Sequence, residues 1–367
     1  MLPIYLFLVP PFDPQPGKSI TERFKGFDYI GAVLSIGAQV ALIMAINFGG
    51  SQWPWNSGRI IALFVISGIL FLIFAIQQSF WKNAATRMFP VHFIRNKEAI
   101  LLFIAAAACN ACAFIPIYYI PIYFQFTRGD NALQSAVRLL PLIFLLTGTI
   151  LLNGYLMSKL GYYQPWYMAG AALALVATVL LSRITTSTSP GYIYGFETLL
   201  GIGAGAFIQA GYAVIQAVVD AADMSYAISF MMIAQIGGIT LGLAIASAAF
   251  VNGAESDLQA LVPTANRSDI EQMVQGTGST FLASLDEGMR RTVLDVVLRN
   301  MQKVFIVAYV GAAVALIVSA FLKVSLVDVL SVLSCQMIFF WPLPSLAFPH
   351  TQRSPFLSGY NFKLLTF

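Results

Sequence analysis

Charge is scarce in this sequence. Asp, Glu, Lys and Arg make up 10% of its 367 residues, against about 25% in soluble domains. So little charge cannot cover the surface of a soluble globule, and hydrophobic residues reach 58%, with a mean hydropathy of +0.78. The net charge of +4 is small and spread along the chain, which excludes the clustered basic footprint of a nucleic-acid binder. Histidine is limited to His92 and His350, in a loop and in the tail, so neither a metal-ligand spacing nor a catalytic set is formed. The apolar stretches show no alternation of period two, which excludes the strands of a membrane barrel. Cysteine is limited to three residues. Cys109 and Cys112 form a C-x-x-C, a redox or zinc signature in a soluble protein. Here they fall one helical turn apart inside "AILLFIAAAACNACAFIPIYYIPIYF", where small packing residues are the expected role.

Apolar length is what the sequence has in plenty. Eight runs, near 29–48, 60–80, 99–124, 137–157, 163–182, 192–219, 226–250 and 303–323, approach or exceed the roughly 20 residues of a spanning helix. The fold class expected is an all-α integral membrane protein of about eight transmembrane helices. The third run carries Pro116 and Pro121, where a kink is expected. The chain opens "MLPIYLFLVPPFDPQPGKSITERFKGFDYIG". Leu2–Val9 is too short to span, no Lys or Arg precedes it, and Pro10-Pro11 stands where a signal cleavage site would need small residues.

Lys and Arg in the short loops set the expected orientation. Lys18, Arg23 and Lys25 precede the first run, and Lys82, Arg87, Arg95 and Lys97 lie between the second and third. The alternate loops hold only Arg59, Arg128 and Arg183. The start of the chain and the end of the eighth run are therefore expected in the cytoplasm, and the long loop 251–302 outside. That loop holds the glycosylation sequon Asn266-Arg267-Ser268 and two capping-box patterns, Ser268 to Glu271 and Ser284 to Glu287. Met289, Val293, Val297 and Met301 suggest that its second helix lies along the membrane before the eighth run.

Apart from boundary residues, Glu197 is the single acidic or basic side chain in the runs. A charge at mid-bilayer costs about 2.5–3.5 kcal/mol on insertion scales, so such groups face a cavity or a partner. On a continuous helix Glu197, Gly201, Gly205, Gln209, Tyr212 and Gln216 share one face. Two readings remain open for it: the wall of a water-accessible pathway, or a helix contact, since Gly201–Gly205 and Gly238–Gly242 both form GxxxG. "GIGAG" is no nucleotide loop, because no strand precedes it. Arg138, at the start of the fourth run, has a structural or gating role, or else snorkels outward.

"NGYLMSKLGYYQPW" resembles the G-x-L-x-x-x-x-G cytoplasmic loop of major facilitator superfamily transporters. Gly154, Leu156, Lys159 and Gly161 stand at its positions, and Ser158 replaces the acidic residue of the stronger N-terminal version. "FDYIGAVLSIGAQVALIMAINFGGSQWPWNSGRIIALFVI", "YYIPIYFQ", "SAVRLLPLI", "GYYQPW" and "AQIGGITLGLAIASAAFVN" look like the fourteen-helix drug–proton antiporters, and among these like fungal toxin and secondary-metabolite efflux pumps. Ala136 departs from a more common Gly.

The resemblance implies a division into the end of a preceding helix and a connector (1–28), an inserted helix pair (29–80), a cytoplasmic loop (81–98), a six-helix C-terminal bundle (99–324) and an atypical tail (325–367). The tail is apolar and Pro-broken, and 324–341 is a marginal ninth span. A truncated gene product is the expectation for both ends. The function implied is proton-coupled efflux of small organic molecules such as drugs, toxins or secondary metabolites. It needs no cofactor beyond a proton gradient and no enzymatic activity. The alternatives are a non-transporting fragment, a half-transporter that needs a partner such as an N-terminal half, and a siderophore or vacuolar transporter. The partners implied are the small-molecule substrate and the lipid bilayer, with the plasma or vacuolar membrane as location. By the superfamily's plan the pathway residues are Asn110, Tyr118, Gln125, Glu197, Gln209, Tyr212, Gln216 and Gln235.

Overall fold

Inside hydrocarbon every backbone N–H and C=O must find its partner within the protein, which leaves helices as the available element for a chain without barrel strands. A computed structural model describes residues 28–80, 89–219, 223–261, 286–322 and Ile270. The connector before Asp28, the loop residues 81–88, the sequon Asn266 with both capping-box serines, and the tail lie outside the described residues. Among the described residues the elements are α1 (Tyr29–Phe48), α2 (Gly58–Phe80), a 3-10 turn (Val91–Arg95), α3 (Lys97–Arg128), α4 (Ala132–Arg138), α5 (Leu140–Leu160), α6 (Gln164–Leu181), α7 (Pro190–Gly205), α8 (Ala210–Val218), α9 (Met224–Leu261) and α10 (Glu287–Ala320). Among the described residues eight segments are long and apolar enough to cross a membrane, with α7 and α8 counted as one. The protein is an all-α integral membrane protein, as the apolar runs predict.

The bundle is built around α3, which packs on α9 and α10 and touches α6, α7 and α8. Small residues let these backbones close in. A Cβ on Gly242 of α9 would stand 2.7 Å from the Ala111 Cβ of α3, and one on Gly311 of α10 would stand 3.0 Å from the Ala108 carbonyl. Cys109 and Cys112 are buried and unbridged, and the Cys112 backbone and Cβ lie against Gly311, a packing contact. α7 fills the space between α5 and α6, and α10 covers α6.

The helix ends follow local chemistry. The Asn96 side chain caps α3 by accepting from the Glu98 and Ala99 N–H groups at 3.0 and 3.4 Å. Gly129 and Gly161 end α3 and α5 in the left-handed region, with φ of 67° and 72°. Glycine takes that conformation without a Cβ clash, a physical reason for the last glycine of the loop motif.

The hairpin α1–α2 stands beside the bundle and meets it through α1 on α9. Three polar ties hold it. Ser67 donates to the Ala38 carbonyl at 2.9 Å in mid-hairpin, and Asn252 of α9 donates to the Gly49 carbonyl at 2.8 Å at the turn. At the other end the buried Asp28 carboxylate accepts from the Gly31 N–H at 2.7 Å and from the Gln77 and Gln78 amides at 2.9 and 2.5 Å. The Gln78 carbonyl in turn accepts from the Phe89 N–H at 3.1 Å.

Three features differ from the sequence reading. α3 runs on to Arg128, beyond the end of the third run at 124, and holds Pro116 and Pro121 within it. The sixth span breaks at 206–209 into α7 and α8. The third difference lies at the expected outer end. α9 runs on to Leu261, and α10 begins at Glu287 with Asp286 as its cap, as one helix through the eighth run. With 38 and 34 residues these helices measure about 57 and 51 Å at 1.5 Å per residue, well beyond a hydrocarbon core of about 30 Å. Asn300 joins their extensions, donating to Asp257 at 2.8 Å and accepting from Lys303 at 2.7 Å. Val293, Val297 and Met301 are consequently buried in the bundle core, whereas the sequence reading laid them along the membrane; Met289 stays exposed.

Asp28→Ala removes a cap and two side-chain hydrogen bonds to a buried carboxylate. We expect it to lower stability by about 2–3 kcal/mol, with Asp28→Asn retaining part of the cap. Thermal unfolding of the purified protein in detergent measures both, and equal midpoints for Asp28→Ala and the parent would contradict the assignment.

Candidate functional site

The sixth span carries most of the candidate pathway residues, and its geometry decides how they group. A Cβ on Gly201 would stand 2.7 Å from the Leu142 carbonyl of α5, and one on Gly205 would stand 2.6 Å from the Leu146 carbonyl. The GxxxG face of α7 is therefore seated on the α5 backbone, the contact expected of small residues at a membrane helix interface. Glu197 lies one turn before Gly201 and has no exposed surface, and neither carboxylate oxygen has a hydrogen-bond partner among the described residues.

The single polar face drawn from Glu197 to Gln216 does not persist through the span. It assumed 100° per residue throughout, and the turn at 206–209 resets the register. At the end of the turn Gln209 is exposed, and beyond it Tyr212 and Gln216 are half-buried. The Tyr212 hydroxyl donates to the side-chain Oε1 of Gln235 on α9, and the Gln216 side-chain amide donates to the backbone carbonyl of Tyr212 on its own helix at 2.8 Å. The structure thus joins Tyr212 to Gln235 across the α8–α9 seam, with Gln216 bonded within α8 and Gln209 exposed at its start, and leaves Glu197 apart from them, buried on α7.

The candidates on α3 separate in the same way. Asn110 is buried and donates to the Ala106 carbonyl of its own helix at 2.8 Å. Tyr118 is 57% exposed, and Gln125 donates to Ser135 of α4 at 3.0 Å, near the end of α3. Gly238 and Gly242 seat α9 on Ala107 and Ala111 of α3.

Arg138 turns inward. Its guanidinium pairs with both oxygens of Asp130, donates to the Tyr194 hydroxyl of α7 at 2.9 Å and sits 4.7 Å over the Phe124 ring. One side chain thereby joins α3, the α3–α4 turn and α7. The loop motif closes the opposite end of the bundle. Gly154 is buried, Leu156 is half-buried and Gly161 is the left-handed cap. The Lys159 ammonium lies 4.5 Å from the centre of the exposed Tyr155 ring. Tyr163, fully buried, donates its hydroxyl to Glu98 in the first turn of α3. Among the described residues no group of three or more His, Cys, Asp and Glu is placed to hold a metal ion.

Sequence reading missed Asn153, whose amide donates to the Ala206 carbonyl at the break in the sixth span. It also missed the Asp28 brace, the Asn252 tie and the Tyr163–Glu98 pair. A search for charge alone passes over amides and phenols; a polar side chain inside or at the edge of an apolar run was the signal available for each.

No family model matches the chain. Curated relatives do. The chain is 55% identical over 339 residues to the phomenoic acid biosynthesis cluster MFS-type transporter of Leptosphaeria maculans, which covers 87% of this chain and 54% of that protein. It is 42% identical over 325 residues to the MFS-type transporter pgmG of Aspergillus terreus, covering 88% and 58% of the two chains. It is 37% identical over 326 residues to the efflux pump alnA of Emericella nidulans, covering 88% and 59%. The chain therefore spans somewhat more than half the length of the curated relatives it matches.

The seated glycines give a paired test. Gly205→Ala forces a Cβ into the α5 backbone and is expected to cost about 1–3 kcal/mol. Gly195→Ala, on the same helix with no atom within 4 Å of the new Cβ, is expected to be neutral or to gain about 0.5–1 kcal/mol. Detergent melting curves of the two variants read the contrast, and equal shifts would remove the assigned α7–α5 contact.

Proposed function

We propose that this chain, homologous to major facilitator superfamily transporters and efflux pumps, serves in the proton-driven export of small organic molecules of the secondary-metabolite kind. The observation that carries the reading is the extended likeness to such transporters, and the polar seam on α8 and α9 is in keeping with it. Gln209, Tyr212, Gln216 and Gln235 offer amide and hydroxyl groups on an otherwise apolar wall. Such a wall suits amphipathic organic molecules: apolar area supplies affinity and a few polar groups fix orientation.

Transport by this family's plan proceeds by rocking one bundle against another around a mid-membrane site. In this reading the six-helix bundle 99–324 supplies one wall of that site, the pair 29–80 stands outside it, and the wall partner is a second six-helix bundle. Glu197 is the proton carrier. It is the acidic group that the sequence places inside the apolar runs beyond their boundary residues, a turn or so from the expected outer end, and it is fully buried on α7. The energy source is the proton gradient, no cofactor takes part, no covalent chemistry is performed, and the plasma membrane is the site of action.

Inside-out membrane vesicles test the reading. Acidifying the lumen is expected to drive accumulation of a fluorescent amphipathic dye, an uncoupler to abolish it, and Glu197→Gln to reduce it about tenfold or more, the scale of a lost proton-transfer group. Accumulation that ignores both the gradient and Glu197→Gln would overturn proton coupling through this residue.

A further inference from the structure

The sixth span changes neighbours where it breaks. As α7, up to Gly205, it packs chiefly on α5 and α6; as α8, from Ala210, it packs on α9, and α3 lies against both halves. The α7 half is fixed by backbone contact. Gly201 and Gly205 sit on α5, and a Cβ on Gly203 would stand 2.6 Å from the Ala174 nitrogen of α6. The α8 half is tied to α9 instead. The Met231 side chain covers Gly211, which also faces the Tyr167 hydroxyl of α6, and Tyr212 bonds Gln235.

Between the halves the helical ladder fails without a proline. Phe207 and Ile208 both donate to the Ala204 carbonyl, at 3.2 and 2.9 Å, and Ala210 donates to Phe207 at 3.2 Å. In an unbroken helix Ala210 would donate to Ala206. The Ala206 carbonyl accepts from the Asn153 amide of α5 in its place. Three glycines at 201, 203 and 205 weaken the helix, and a side chain inserted into the ladder is an established cause of a sharp bend. Asn153 is buried, and its carbonyl oxygen has no hydrogen-bond partner among the described residues, so the amide donor is the part of the side chain in use.

We propose that residues 206–209 are a hinge on which α8 moves together with α9 against a fixed α7, and that Asn153 is the positioning residue that holds the hinge in the conformation seen here. The purpose of the movement rests on the transport reading: swinging α8 displaces Gln209, Tyr212 and Gln216 relative to the half that carries Glu197. The hinge itself rests on the change of neighbours and on the diverted carbonyl.

Hydrogen exchange of the full chain in lipid nanodiscs tests it. Amides 207–212 are expected to exchange faster than amides 193–203 in the parent protein. Asn153→Leu, which keeps bulk and removes the donor, is expected to raise exchange at 207–212 roughly tenfold, the scale of one lost buried hydrogen bond, and to leave 193–203 unchanged. Asn153→Gln, which restores an amide, is expected to recover part of the protection. Equal exchange in the two halves of the parent, or a rise spread evenly over 193–212 in Asn153→Leu, would overturn the hinge. Should Asn153→Leu fail to insert, the comparison within the parent decides. Vesicle export by the parent judges the transport reading separately, since the exchange pattern requires no substrate.

Discussion

Backbone polarity in a medium without water is the constraint on which this structure depends. Each unpaired N–H or C=O in hydrocarbon costs several kcal/mol, so the chain stays helical wherever it is surrounded by apolar contacts. Where it departs from helix inside an apolar run, at 206–209, the diverted Ala206 carbonyl is met by Asn153. The same constraint shapes the contacts between helices. Lipid is as apolar as the side chains, so association relies on close packing, and small residues supply it at Gly201, Gly205, Gly238 and Gly242.

Polar side chains then act at the ends and turns, each joining elements far apart in sequence. Asp28 gathers both helices of the hairpin, Arg138 links α3 to α7, Asn300 joins α9 to α10, and Tyr163 anchors the loop motif to α3. A bundle braced at its ends and packed through glycine in its middle keeps its helices as rigid bars. The sixth span is the exception, since its two halves are carried by different neighbours.

Much of the fold was legible because it is dictated by length and hydropathy. The eight runs became eight spans with boundaries within a few residues for α1, α2 and α6. α9 and α10 were read short, because their extensions past 250 and before 303 are held by Asp257, Asn300 and Lys303, whose pairing no hydropathy pattern reveals. The helix-contact role of Gly201 and Gly205 was one of two readings that the GxxxG spacing left open. The shared face from Glu197 to Gln216 was illegible for a physical reason: periodicity holds only while the ladder does, and the break follows from an asparagine on another helix. Arg138 was ambiguous because its partners Asp130, Tyr194 and Phe124 come together only in the fold.

The sixth span carries exposed and half-buried polar side chains on its α8 half and a sealed contact with α5 on its α7 half. Single cysteines at 193, 197, 200, 209, 212 and 216, in a chain with Cys335 replaced by Ser, are to be treated in membranes with a charged thiol reagent. Labelling is expected at 209, 212 and 216 and protection at 193, 197 and 200, with the native Cys109 and Cys112 also protected. Labelling at 197 as ready as at 209, or protection of 209, 212 and 216, would contradict this division of the span.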